Sequence, residues 1–147
     1  MKQHVKSILI LSVVFAIFNL IGCGGSSTSP SSQPQIIQGS ASTDTFLLGI
    51  IKLVHFSTTK AGTLSSSVNW NNASNDFDTY LLKGTCTIAM LLSEASGCAY
   101  PDRLAGDESD NKPSVFTVAV SVGAHTLLIG REGVFVDDTV TYRMEVN

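Results

Sequence analysis

The feature that most restricts this chain is a two-residue alternation of apolar and polar side chains that recurs after residue 50, broken each time by turn residues. In TLSSSVNW, Leu64, Val68 and Trp70 share one side with Ser66, while Ser65, Ser67 and Asn69 take the other. In SVFTVAVSV the row Phe116, Val118, Val120 and Val122 alternates with Val115, Thr117, Ala119 and Ser121. In TVTYRMEVN the row Val140, Tyr142, Met144 and Val146 alternates with Thr141, Arg143 and Glu145. Successive side chains of a strand point to opposite faces, so each run predicts a strand with one buried and one wet face. Further strands are predicted at 50–57, 77–82 and 125–129. TKAG at 59–62, NNASND at 71–76, GDESDNKP at 106–113 and REG at 131–133 supply the turns. The only competing pattern is a short helical turn in IAMLLSEA, and no internal repeat is present. Many short strands without intervening helices predict an all-β fold, an antiparallel β-sandwich or jelly roll of about seven to eight strands.

The N-terminus follows another rule. MKQHVK carries Lys2 and Lys6 and no acid, and SILILSVVFAIFNLIG is apolar except at Ser7, Ser12 and Asn19. A charged start, an apolar stretch of roughly fifteen residues and a small residue before a break form the pattern of a secretory signal peptide. The stretch is short of the roughly twenty residues that a permanent membrane helix needs. It is apolar nearly all round, so it has no polar face to meet solvent as a surface helix would. Export places the three cysteines in an oxidising setting. Cys86 and Cys98 in CTIAMLLSEASGC are near enough in sequence to close one local loop, which would leave Cys23 without a partner.

Leu20-Ile21-Gly22-Cys23 resembles the lipobox of bacterial lipoproteins, and it stands where that family has it, at the end of the apolar stretch. Membership implies cleavage before Cys23, a diacylglycerol on its thiol and an acylated amino terminus. Anchoring by more than one acyl chain is stable because each buried methylene contributes about 0.8 kcal/mol. In that family an Asp after the cysteine favours retention at the inner membrane. Gly24 stands here, which implies the outer membrane. GGSSTSPSSQPQ follows, too poor in apolar surface to offset the entropy of ordering, and predicts a flexible tether. The predicted organisation is a signal peptide over 1–22, a lipidated cysteine and tether over 23–35, and a sandwich domain over 36–147.

Beyond the leader, Lys52, Lys60, Lys83, Arg103, Lys112, Arg131 and Arg143 face twelve acids. With no basic run, nucleic acid is excluded as a partner, and attachment to a membrane rests on Cys23 rather than on charge.

FSTTKAGTLSSSVNWNNASNDFDTYLL, SVFTVAVSVGAHTLLIG and the closing VTYRMEVN together resemble the bacterial pre-peptidase C-terminal domain. That domain is a β-sandwich often appended to secreted proteases and collagenases. The resemblance runs from about residue 50 to the end, and it implies a non-catalytic accessory or binding module. The chain departs from the family in two places. Gly123-Ala124-His125 stands where a Gly-Thr-Tyr is usual, and the loop after YLLKG holds both remaining cysteines in what reads as an insertion.

Asp76 and Asp78 in NDFD are two apart, so on a strand they share a face. Some members of the resembling family bind calcium, which makes the pair the candidate metal ligands. Calcium takes six or more oxygens, however, and two acids are also explained as turn and loop caps. Asp107, Glu108, Asp110 and Asn111 in GDESDN lack the spacing of an EF-hand and read as a solvated acidic turn, as do Asp137 and Asp138. His4 leaves with the signal peptide, so His55 and His125 are the remaining imidazoles. No GxSxG, HExxH or phosphate-cradling loop supports catalysis. Trp70 shares the parity of Leu64 and Val68 and belongs in the core, and Asn72-Ala73-Ser74 reads as a turn. The sequence therefore predicts a lipid-anchored envelope protein with a non-catalytic sandwich that binds protein or glycan. The alternative is a structural envelope component without a discrete ligand, stabilised by its disulfide and by calcium.

Overall fold

The structure is a computed structural model that describes residues 33–133 and 136–147. The predicted signal peptide, Cys23 and most of the predicted tether lie outside the described residues. Eight antiparallel strands form two four-stranded sheets. They are β1 (Gln35–Ser42), β2 (Ile51–Thr58), β3 (Gly62–Trp70), β4 (Asp76–Lys83), β5 (Ala105–Asp107), β6 (Ser114–Val120), β7 (Gly123–Glu132) and β8 (Thr139–Val146). The front sheet has the order β1-β8-β3-β6 and the back sheet β2-β7-β4-β5. The predicted all-β sandwich is the observed fold.

The alternation in the sequence becomes the interface between the sheets. Leu64, Val68 and Trp70 of β3 and Val140, Met144 and Val146 of β8 are buried, with Ser66 beside them in the same row. The back sheet answers with Phe77 and Leu81 of β4 and Leu127 and Ile129 of β7. Aromatic rings lock the layers: Trp70 meets Phe77 edge-on at 5.2 Å between centroids, and Phe46 meets Phe77 at 6.0 Å. The Trp70 indole N–H donates to the Asn75 carbonyl at 2.8 Å, so the one polar atom of that ring is satisfied. On β1, Gly39 leaves room for the Tyr142 ring; a Cβ there would clash with the phenol.

Three readings of the sequence shift. β1 begins at Gln35, inside the expected tether, because the Gln35 side chain donates to the Ser57 carbonyl at 2.7 Å and accepts from the Thr59 amide at 2.9 Å. Arg131 and Glu132, read as a turn, extend β7, since Phe77 and Asp76 pair with them in register. Val122 continues the inward row of β6 in sequence but lies past the strand's end and is exposed.

The segment after β4 covers the outer face of the back sheet. Cys86 and Cys98 are bonded, with Cα atoms 5.6 Å apart, and with Leu82 they form a second small core onto which Met90, Leu91 and Leu128 pack. The predicted helical turn is α1 (Ile88–Leu92), capped by Thr87, whose hydroxyl accepts from the Met90 amide. The buried Thr126 hydroxyl fastens the loop by donating to the Gly84 carbonyl at 2.8 Å and accepting from the Cys86 amide at 2.9 Å. Covered on both faces, β4 is buried at every position from Thr79 to Leu82, which erases its alternation.

A loop of this length contributes about 3 kcal/mol through its effect on the unfolded chain. Reduction, or the double substitution Cys86→Ala and Cys98→Ala, is expected to lower stability by about that much and to speed hydrogen exchange in the 84–100 segment first. An unchanged melting temperature with both thiols shown to be free would contradict this role for the cap.

Candidate functional site

The loops between β1 and β2, β3 and β4, and β7 and β8 meet at the end of the sandwich where β1 finishes. One carboxylate holds them. Asp138 Oδ1 accepts from the amides of Asn71 at 3.0 Å and Thr139 at 2.7 Å, and Oδ2 accepts from the Asn72 amide at 2.8 Å and Asn75 Nδ2 at 3.0 Å. Its backbone is tied as well: Thr43 N donates to the Asp138 carbonyl at 3.0 Å, and Asp138 N donates to the Thr43 hydroxyl at 2.9 Å. Buried Asn75 completes the clamp by donating to the Val136 carbonyl at 2.9 Å and accepting from the Val136 amide at 3.1 Å. Burial alone would raise the pKa of Asp138. The hydrogen bonds from Asn72, Asn75, Asn71 and Thr139 outweigh it and hold the carboxyl below its ordinary range. Asp138 is therefore a structural hub rather than the solvated turn residue expected from DD in the sequence.

On this rigid base stands a tight turn, FLLGI. Leu47 N donates to Ile51 O at 2.7 Å and Ile50 N donates to Leu47 O at 3.1 Å, with φ of 55° at Leu48 and 74° at Gly49. Two successive left-handed residues make the hairpin turn that favours Asn-Gly. Gly49 suits it. Leu48 does not, since an L side chain in that region costs roughly 1–2 kcal/mol. The leucine gains no burial in return: it is 73% exposed, and Leu47 and Ile50 beside it are also exposed. Val136, 52% exposed, belongs to the same tip, because the Arg131 guanidinium donates to the Gly49 carbonyl at 3.4 Å and the Val136 carbonyl at 3.5 Å. Exposed Asp44, Glu132 and Asp137 flank the tip in sequence and in the fold. The sequence reading missed this tip; its signal was a pair of leucines in a segment whose following glycine marks a turn.

The candidate residues of the sequence pattern are distributed elsewhere. Asp76 and Asp78 do share the outer face of β4. Burial raises the pKa of Asp76, and the charges of Asp110 and Asp78 add to this. Burial also raises Asp78, helped by Glu132, Glu108 and Asp107 and opposed by a hydrogen bond from the Tyr80 hydroxyl at 3.2 Å. Among the described residues no three His, Cys, Asp or Glu side chains form a group fit to hold a metal ion. The pair supplies two carboxylates where calcium takes six or more oxygens, so carbonyls or waters would have to complete the set. Asp107 closes its own loop, accepting from the Ser109 amide at 3.0 Å and the Val115 amide at 2.7 Å. Burial works against its ionisation, but the bonds from Ser109, Val115 and Ser114 prevail and lower its pKa. His55 Nε2 donates to the Cys86 carbonyl at 2.7 Å. His125, 2% exposed, stacks on Phe56 and donates from Nε2 to the Ser121 carbonyl at 3.1 Å. Asn72 Oδ1 accepts from the Ser74 amide at 2.9 Å, which makes the expected turn. Cys23 lies outside the described residues.

No protein-family model and no curated protein matches the chain. Among solved structures it is similar to the pre-peptidase C-terminal domain of a collagenase from Bacillus anthracis, at 14% identity over 75% of this chain and 87% of that one, with a TM-score of 0.49. It is also similar to a periplasmic inhibitor of g-type lysozyme from Aeromonas hydrophila, at 11% identity over 80% of this chain and 89% of that one, with a TM-score of 0.45. These are likenesses of chain path; the sandwich itself is established by the strand pairing above.

The aspartates predict opposite pH effects. Asp138 and Asp107, with lowered native pKa values, contribute stability that is complete above the unfolded value of about 3.9 and is lost as pH falls through the native values. Asp76 and Asp78, with raised values, impose a penalty that is complete above their native pKa and vanishes below about 3.9. Asp138→Ala is expected to cost about 2 kcal/mol at neutral pH, the scale of hydrogen bonds to a charged acceptor. Asp76→Asn should stabilise at neutral pH and lose its advantage in acid. Thermal unfolding across this range checks both, and a lower melting temperature for Asp76→Asn only when calcium is present would show that an ion uses the pair.

Proposed function

We propose that this protein is an exported, lipid-anchored envelope protein whose β-sandwich is a non-catalytic module that grips a partner protein with its apolar tip. The observation that carries the reading is Leu48, held exposed in a backbone conformation that costs stability and gives nothing back to the fold. Strain of this kind is kept where surrounding structure enforces it, and the Asp138 clamp beneath the turn is that structure. Protein is favoured over glycan because the large exposed hydrophobic residues among those described are all aliphatic, whereas sugar rings are gripped by aromatic faces. Acids around the tip suit a partner socket rimmed with basic residues. Support for the anchor is the leader with its lipobox, LIGC, and Gly24 after the cysteine favours the outer membrane.

The glycan reading has one observation of its own. A shallow hollow of about 590 Å³ lies on the outer face of the front sheet, floored by Gln38, Ser40, Ser67, Asn69, Thr141 and Arg143. Photo-crosslinkers placed at positions 48 and 69 in cells separate the two. Adducts to a protein from position 48 support the tip, and glycan adducts from position 69 alone would replace it with the hollow. Leu48→Asn is expected to raise stability by about 1 kcal/mol by relieving the backbone and to abolish partner binding. For the anchor, Cys23→Ser should release the protein from membranes; unchanged association with no acyl mass at the mature amino terminus would end the lipoprotein reading.

A further inference from the structure

The two sheets differ in how their edges are protected. An exposed edge strand carries unpaired N–H and C=O groups and invites another strand, and proteins usually blunt it with charge, proline or brevity. The back sheet follows this: its edge strand β2 carries Lys52, and the other edge, β5, is three residues long and ends in Asp107. The front sheet does not. Its edges are β1, QIIQGSAS, and β6, SVFTVAV, with no charged residue in either strand.

The free backbone groups can be located. In an antiparallel pair, residues alternate between facing the partner and facing away. Val115 N donates to Asp107 Oδ2, so on β6 it faces away from β3, and Thr117 and Ala119 turn outward with it. On β1, Thr43 N donates toward β8 at the Asp138 carbonyl, which places Ser42, Ser40 and Gln38 on the outward phase. With the Val115 amide taken by Asp107, the outward groups of Thr117 and Ala119 on β6 and of Ser42, Ser40 and Gln38 on β1 remain, beside small or uncharged side chains. The front sheet's outer face adds apolar surface at each, with Ile36 on β1 47% exposed and Val115 on β6 54% exposed.

We propose that this chain associates with further copies of itself side by side, β6 of one copy pairing with β1 of the next, to extend the front sheet. Direction permits this. Each neighbour in the order β1-β8-β3-β6 is antiparallel, so β6 runs opposite to β1, and a copy displaced sideways without being inverted presents an antiparallel edge. Charge selects it over the two-fold alternatives. β6 lies over β5 and β4, joined by the Val115–Asp107 and Thr79–Ser114 hydrogen bonds respectively, and β1 lies over β2, joined through Gln35. The sideways contact therefore brings the β5 edge of one back sheet to the β2 edge of the next. Asp107 and Lys52 occupy the same row of that sheet, since Thr79 pairs with both Asp107 and Ile129, and Ile129 pairs with Lys52. Opposite charges meet. A two-fold β6–β6 contact would set Asp107 against Asp107, and a two-fold β1–β1 contact Lys52 against Lys52. A head-to-tail contact does not close after two copies, so it builds rings or filaments.

The chain enters every copy at the same end of β1, so all copies in such an array face one way.

Sedimentation of the mature, unlipidated Cys23→Ser chain tests the contact whether or not the natural protein carries lipid. The average mass is expected to rise with concentration past that of a dimer. Ser40→Lys and Ala119→Lys alter exposed side chains on the two edges, and each alone should hold the protein at monomer mass with its melting temperature retained. Mixing these two variants should restore a dimer and nothing larger, because each keeps one intact edge. Monomer mass for the parent chain at all concentrations would overturn the proposal. So would a dimer that Ala119→Lys abolishes and Ser40→Lys leaves intact, the mark of a two-fold β6–β6 contact.

Discussion

Each sheet of this protein is apolar on one face, and those faces can leave water together only by packing against each other. The aromatic contact at the centre of that layer determines more than core stability. Phe77 sits between Trp70 of the front sheet and Phe46 of the loop after β1, so the two sheets and the β1–β2 connection are fixed by one ring. The Trp70 indole then reaches Asn75, and Asn75 reaches Asp138 and Val136. A continuous path of packing and hydrogen bonds runs from the middle of the sandwich to its distal loops.

That path explains why an unfavourable turn can persist. The segment bearing Leu48 is closed at its base by Leu47 and Ile51 and seated on Phe46, which is buried in the core. The cost of a left-handed leucine is small beside the burial of the aromatic ring beneath it. The same rigidity gives the apolar tip a defined shape. The disulfide-bonded cap has a parallel role on the back sheet, covering Leu82 and Leu128, which would otherwise leave an apolar patch on the outer face.

The strands read most easily in the sequence were those with one wet face. β3, β6 and β8 kept their alternation because, among the described residues, no element covers the outer side of the front sheet. β4 lost it, since on the side that would otherwise be wet the cap buries Leu82, while Tyr80 packs against Gly106 of β5 with Arg103 over its ring. β1 was missed because its second half, GSAS, is built of small residues whose inward positions need little volume: Gly39 must be empty to admit Tyr142. Asp138 looked like any exposed acid, because its four donors come from residues more than sixty positions away as well as from its neighbour. The strain at Leu48 was equally hidden, as a φ angle is not a property of composition.

By itself the sequence determined the fold class, the burial of Trp70 and the pairing of Cys86 with Cys98, because period-two patterning and short loop closure are local in the chain. It also carried LIGC, whose meaning depends on position after an apolar stretch and not on folding. Only the tertiary structure decided which loops meet at the distal end, which carboxylates capture backbone amides and which edges carry no charge. Those are relations between strands distant in sequence, set by sheet order and register, and no local pattern encodes them.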